Sequence, residues 1–204
     1  LQYGNIFDPN EVIDSSQRRN IVIPVNRCFD THVDNHIISA QTVHGATFNS
    51  LYASGKYTEE SLSMAIGKLL ENTNYKSLSE EEKPEGNRKR YPVGTVVDLP
   101  GYENEHFFLW ALSTFDNKLK AHTSMQEYAL AVQKLIESCN EESEGFPVVL
   151  PLVGTGLSRT KKGQQDVLKY LINAFRINKA EINCDIHIVV RNDMKNEIAI
   201  MNIK

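Results

Sequence analysis

The chain has 204 residues, 41% of them hydrophobic, and a formal net charge of −4. That length buries a full core without disulfides or a structural metal, so one domain spanning 1–204 is expected. The acidic balance offers no electrostatic case for nucleic acid, and no apolar run reaches the ~18–20 residues that cross a bilayer. Cys28, Cys139 and Cys184 are scattered, odd in number and without C-x-x-C spacing, which suits a reducing compartment.

In chain order, Leu1 stands just before Gly4-Asn5-Ile6-Phe7, where a strand is expected to be starting. With no initiating methionine the chain is expected to be a fragment of something longer. A buried-type strand over 20–25 ends in Asn26 and is followed by a short loop and a helix. A helix near 59–71 uses Leu62, Ala65, Ile66, Leu69 and Leu70 as its apolar face. Residues 74–90 are polar, with Glu80-Glu81-Glu82 and then Arg88-Lys89-Arg90, and are expected to form an exposed insertion whose charges are solvated.

Strands follow at 94–99 and 106–113, then a helix over 124–139 with Met125, Tyr128, Ala129, Val132, Leu135, Ile136 and Cys139 on one face. Ser124 and Glu127 supply its capping box. A strand at 147–153 leads to a helix at 163–176 that buries Val167, Leu168, Leu171, Ile172 and Phe175, and strands are expected at 185–190 and 197–202. Strands alternating with helices predict a three-layer α/β/α fold around a central mixed sheet.

Phe146 to Arg159 reads F-P-V-V-L-P-L-V-G-T-G-L-S-R. A buried strand that runs into Gly154-Thr155-Gly156 and then a helix is how α/β proteins hold phosphate, because glycines admit close backbone approach and amides at the helix start point at the anion. Arg159, Lys161 and Lys162 add positive charge there. No Lys-Ser or Lys-Thr follows, so this is not the nucleotide-hydrolase loop, and Arg159 stands where the dinucleotide fingerprint needs a third glycine. The second strand end, at Asn26, completes the pair of polar loops that a crevice at the carboxyl edge of a sheet requires.

Together these segments resemble the macro domain, an ADP-ribose-binding α/β module. Val22-Ile23-Pro24-Val25-Asn26 matches its signature strand, and Gly154-Thr155-Gly156-Leu157-Ser158 its diphosphate loop. Gly4-Asn5-Ile6-Phe7 stands at its opening motif, Tyr91 to Val96 and Phe107 to Ala111 at its next strands. More narrowly, N-R-C-F-D-T from Asn26, Val43-His44-Gly45, and P-L-V-G-T-G-L-S-R look like the macro domain of ThsA-type effectors in Thoeris antiphage systems.

The resemblance implies a ligand site built from Asn5, Ile6, Asn26, Phe29, Asp30, Thr31, Val153, Gly154, Thr155, Gly156, Leu157, Ser158 and Arg159. Asn5 replaces the family's adenine-reading aspartate, either still accepting from the adenine amino group or serving only as a turn asparagine. Asn26 would face the distal ribose, with local turn capping as the alternative. Where hydrolytic macro domains carry a glycine run, this chain has Cys28-Phe29-Asp30-Thr31. Those bulkier residues stiffen the loop and fill the space of an attacking water. Phe29 is expected to line the ribose pocket, and Asp30 or Thr31 to cap a nearby helix.

No catalytic residue and no metal are expected. His32 and His36 are spaced like a two-histidine metal pair, but Val33 stands where H-E-x-x-H needs glutamate, and no third ligand is evident. Cys28 lacks a base and an oxyanion site, and His44 is expected to be a packed residue. Trp110 and the pair Phe107-Phe108 are expected in the core. The implied function is a sensor for an ADP-ribose derivative, histidine-ADP-ribose first, made by a TIR-domain partner. It would sit in a cytoplasmic domain of a bacterial protein anchored by an upstream membrane segment and assemble into a homo-oligomer on activation. The alternatives are an ADP-ribosyl hydrolase and a reader of ADP-ribosylated proteins.

Overall fold

The computed structural model describes residues 1–8, 10–12, 17–153 and 163–200. Its elements in chain order are β1 (Gln2–Tyr3), β2 (Arg19–Asn26), α1 (Val43–Ala53), α2 (Glu59–Leu69), β3 (Lys76–Ser77), β4 (Lys89–Arg90), β5 (Val96–Pro100), β6 (Glu105–Phe115), β7 (Ala121–His122), α3 (Met125–Glu142), β8 (Val148–Pro151), α4 (Gln164–Ile177) and β9 (Ile186–Val190). The main sheet runs β1-β9-β8-β2-β6-β5, with β7 added to the far end of β6. All neighbours are parallel except β5 and β7, which pair antiparallel with β6.

The alternation of strand side chains builds two cores, one on each face of the sheet. Ile21, Ile23 and Val25 of β2, with Phe107, Leu109 and Ala111 of β6, pack against Phe48 and Leu51 of α1 and Leu62 and Ile66 of α2. Val22, Phe108, Trp110 and Leu112 point the other way, against Tyr128 to Cys139 of α3 and Val167 to Phe175 of α4. Buried on both faces, β2 and β6 read as continuous apolar runs, as parallel sheets require. Trp110 is fully buried and donates from Nε1 to the Ala131 carbonyl at 3.0 Å, so this aromatic belongs to the core as expected. The three-layer α/β/α architecture with a mixed sheet is therefore observed.

Helix starts follow their capping chemistry. Ser124 and Glu127 close the anticipated box at α3, and Thr58 with Ser61 closes another at α2. Two expectations need correction. No helix starts at Thr31. Residues 27–42 stay irregular because Asp34 accepts from the His36 and Ile37 amides and Asn35 accepts from Ala40, which competes with helical bonding. The helix begins at Val43, capped by Thr42, whose Oγ1 accepts from the Gly45 amide at 3.0 Å.

The strand expected at 197–202 is also not formed over its described part. A 3-10 turn at Asn192–Met194 precedes it, and Ile198 donates back to the Met194 carbonyl and buries its side chain. The edge of β9 is already taken by β1, through Gln2↔Val189 and Tyr3↔Val190, which leaves no ladder for a further strand there. Residues 201–202 lie outside the described residues. Among the described residues, no helix is long and apolar enough to cross a membrane.

Candidate functional site

The chain leaves β2 toward α1 on one face and leaves β8 toward α4 on the other. Two adjacent parallel strands whose outgoing connections part in this way open a crevice at their carboxyl ends, the usual ligand position in α/β sheets. The ladder between these two strands stops short of their carboxyl ends. β2 pairs with β8 only at Asn20↔Val148 and Ile21↔Val149, whereas its pairing with β6 continues to Asn26↔Ser113. Pro24, which removes a ladder donor, lies in the stretch of β2 beyond the last β8 pair.

Asn26 closes this strand and is only 4% exposed. Its Oδ1 accepts from the Cys28 amide at 3.0 Å and from the Asp30 amide at 3.5 Å, and its carbonyl accepts from the Phe29 amide at 2.9 Å. Its Nδ2 is buried and makes no hydrogen bond of normal geometry, although it faces the Asp30 carboxylate closely enough to oppose that group's upward shift. An amide group turned over by half would lose the two bonds to Oδ1, so the orientation is fixed by the loop and the remaining group is a donor. A donor at a strand end that makes no bond of normal geometry can serve an incoming acceptor.

The loop after Asn26 is held from a second side. The Asp30 carboxylate is 2.9 Å and 3.1 Å from Lys83 Nζ and accepts the Asn87 amide at 2.6 Å. Asn87 Nδ2 donates to the carbonyls of Phe29 at 3.0 Å and Cys28 at 3.3 Å. Tyr91 donates its amide to the Arg27 carbonyl, and Arg27 Nε returns a bond to the Tyr91 carbonyl, both at 2.9 Å. Burial pushes the Asp30 carboxyl up, opposed by the charge of Lys83. Phe29 sits at φ +48°, a left-handed conformation that a bulky side chain seldom adopts.

A family model described as the macro domain of Thoeris protein ThsA matches residues 1–191. The chain belongs to the ThsA macro domain family. Thoeris protein ThsA from Bacillus amyloliquefaciens (strain Y2) is 28% identical over 166 residues, 78% of this chain and 52% of the relative. The chain thus spans about half the length of the curated relative it matches.

Within this ThsA macro domain, the expected site residues divide into four groups. Asn26 and Val153 lie at the ends of the two crevice strands, and the Val153 carbonyl accepts from the Tyr128 hydroxyl at 3.2 Å. Asn5 is exposed at the end of β1, which lies at the far edge beyond β9, and its Oδ1 accepts from the Phe7 amide at 3.1 Å in a local turn; Ile6 is buried beside it. Gly154, Thr155, Gly156, Leu157, Ser158 and Arg159, the whole expected diphosphate loop, lie outside the described residues.

The fourth group serves the protein interior. Phe29 is 2% exposed and packs edge-on against Tyr91, with ring centroids 5.6 Å apart, in the core instead of lining a pocket. Asp30 is the anion of a buried ion pair, and Thr31 is buried, its carbonyl taking the Tyr52 hydroxyl at 2.6 Å. Neither caps a helix.

His44 is buried under the loop, bonded to the Asp30 backbone and stacked edge-on with Phe48, and burial pulls its pKa down to about 3. Burial, with Asp30 adding to it, pushes the Cys28 thiol up to about 11, so the thiolate is scarce at neutral pH. His32 and His36 are exposed and pair separately with Glu59 at 2.8 Å and Glu85 at 3.1 Å. Among the described residues, no three histidine, cysteine or acidic side chains gather as a metal site.

The insertion was misjudged in one respect. Most of 74–90 is exposed, and it carries the β3–β4 hairpin, yet Lys83 is 1% exposed against Asp30. A lysine that follows three glutamates gives no sequence sign of burial. Its partner lies 53 residues away, beyond any local pattern. The only local hint is the turn chemistry of Pro84 and Gly86.

Proposed function

We propose that this macro domain is the nucleotide-binding sensor of a Thoeris defence effector, taking an ADP-ribose derivative in the crevice between the ends of β2 and β8. The observation that carries the reading is the buried Nδ2 of Asn26, a donor without a bond of normal geometry, aligned by its own loop at the switch point of the sheet. A ribose hydroxyl supplies an acceptor for this donor, and a glycine loop at 154–158 would cradle the diphosphate. Histidine-ADP-ribose, made by a TIR-domain partner, is the ligand we favour. Occupancy would order the loops around the crevice and shift the effector toward an assembled, active state, relayed to a membrane-anchoring segment upstream.

Binding without turnover is part of the proposal. Hydrolysis needs a carboxylate or other base free to take a proton from water, and the Asp30 oxygens are engaged by Lys83 and Asn87. Titration calorimetry of the chain with AMP, ADP-ribose and histidine-ADP-ribose tests the ligand class. An ADP-ribose derivative is expected to bind at micromolar Kd or tighter, about 8 kcal/mol, with AMP weaker for want of the second phosphate and ribose. Equal binding of AMP and ADP-ribose would sink the diphosphate reading. Mass spectrometry of the released conjugate is expected to return it intact, and its recovery as free ADP-ribose would favour a hydrolase.

A further inference from the structure

Four consecutive residues, Arg27 to Asp30, are bonded to the segment 83–91. The Arg27 carbonyl is held by the Tyr91 amide, the Cys28 and Phe29 carbonyls by Asn87 Nδ2, and the Asp30 carboxylate by Lys83 Nζ and the Asn87 amide. The opposite side of the same loop is held by Asn26, which takes the amides of Cys28, Phe29 and Asp30. Lys83 also donates to the Glu85 carbonyl at 2.7 Å and lies 5.7 Å from the centre of the Phe115 ring, at the end of β6. The segment therefore reaches inward to the sheet and is not merely solvated.

Gly86 shows how close the approach is. It sits at φ +75°, and a Cβ added there would stand 2.2 Å from Asp30 Oδ1 and 2.7 Å from Lys83 Nζ. An insertion without a packing role needs no such contact. A loop that contains no glycine and yet carries Phe29 at positive φ needs outside bonds to stay in that path, because strained backbone persists only where its surroundings over-determine it.

We propose that Lys83, Gly86 and Asn87 are positioning residues for the nucleotide crevice, and that the insertion is a strap setting the path of the loop that aims Asn26. The proposal rests on the ADP-ribose reading of the crevice. Asn26 Oδ1 is fixed by the amides of Cys28 and Asp30, so the direction of its Nδ2 donor depends on a loop whose carbonyl side the strap holds. The insertion then acts on ligand affinity without touching ligand.

The test uses three single variants of the whole chain, Lys83→Met, Asn87→Ala and Gly86→Ala, titrated with ADP-ribose and followed by amide hydrogen exchange. Asn87 is exposed, so its variant keeps the fold where Lys83→Met or Gly86→Ala fails to. Each variant that folds is expected to bind ADP-ribose at least tenfold more weakly. The Cys28 and Asp30 amides are expected to exchange at least tenfold faster, while amides in the centre of β6 keep wild-type protection. A purely structural role would lower protection across β6 as well and would overturn the proposal, as would wild-type affinity and loop exchange in Asn87→Ala and Gly86→Ala. If the wild-type chain binds no ADP-ribose derivative, the functional reading fails by itself, and the exchange measurement alone decides whether the strap holds the loop.

Discussion

Replacing Asn26 separates its two roles. Asn26→Ala removes the acceptor of the Cys28 amide, bonded at 3.0 Å, and of the Asp30 amide, at the 3.5 Å margin of a hydrogen bond. One buried donor left fully unsatisfied costs about 1–3 kcal/mol, and the marginal one adds little, so about 2 kcal/mol of stability is expected to be lost. At roughly 2.1 cal/mol/K per residue, 204 residues unfold with an entropy of about 430 cal/mol/K, which makes that loss a fall in Tm of about 5 °C. Affinity for ADP-ribose loses one ligand hydrogen bond, about 1 kcal/mol or fivefold, and the displaced loop is expected to bring the total to tenfold or more. Asn26→Asp keeps an acceptor for the loop amides but exchanges the Nδ2 donor for a carboxylate oxygen at a buried position. It is expected to bind a diphosphate at least as poorly as the alanine variant, through the lost donor and the added like charge. Calorimetric titration at 25 °C and thermal unfolding by circular dichroism read both quantities. Wild-type affinity in both variants would refute the assignment of Asn26 to the ligand, and an unchanged Tm in Asn26→Ala would refute its role in building the loop.

The buried Asp30–Lys83 pair makes Lys83→Met destabilising by about 3–5 kcal/mol, because it strands a charge; Asp30→Asn/Lys83→Met is expected to recover most of this in denaturant titration, and a double variant as weak as the single would refute the pairing. His44 is held at about 3 against an ordinary 6.5, so the unfolded chain takes up a proton that the folded chain refuses between those values. Stability is therefore complete above pH 6.5 and falls as pH drops toward 3, by roughly 1.4 kcal/mol per pH unit; His44→Asn is expected to flatten the fall between pH 6 and 4, and equal slopes in the two proteins would refute the burial of a neutral imidazole. Gly45→Ala would set a Cβ 2.2 Å from the Ser39 carbonyl oxygen, and an overpacking loss of about 2–3 kcal/mol is expected on unfolding; a neutral effect would mean that the start of α1 yields easily.

Much of the scaffold was legible in the chain, because its signals are local. β-branched runs marked β2 and β8, the spacing of Tyr128 to Cys139 marked α3, and Ser124 with Glu127 marked its first turn. Asn26 was legible as the polar end of β2, and the local turn capping weighed beside ribose contact is observed in its bonds to the Cys28 and Asp30 amides. The cap signal at Thr31 misled because Asp34 and Asn35 satisfy the backbone locally, and the chain turns twice more before Thr42 opens the helix.

What the sequence by itself determined is therefore most of the order of strands and helices, since periodicity, capping and turn chemistry act over a few residues. Only the tertiary structure decided what each loop residue does. Asp30 and Thr31 carry the chemistry of helix caps and ligand contacts, yet one is neutralised by a lysine far along the chain and the other takes a tyrosine hydroxyl. Phe29 turned into the core at a φ that sequence does not announce. A side chain's function depends on which partner reaches it, and the fold sets β2 beside β8 and the insertion beside Asp30 across separations that no local pattern spans.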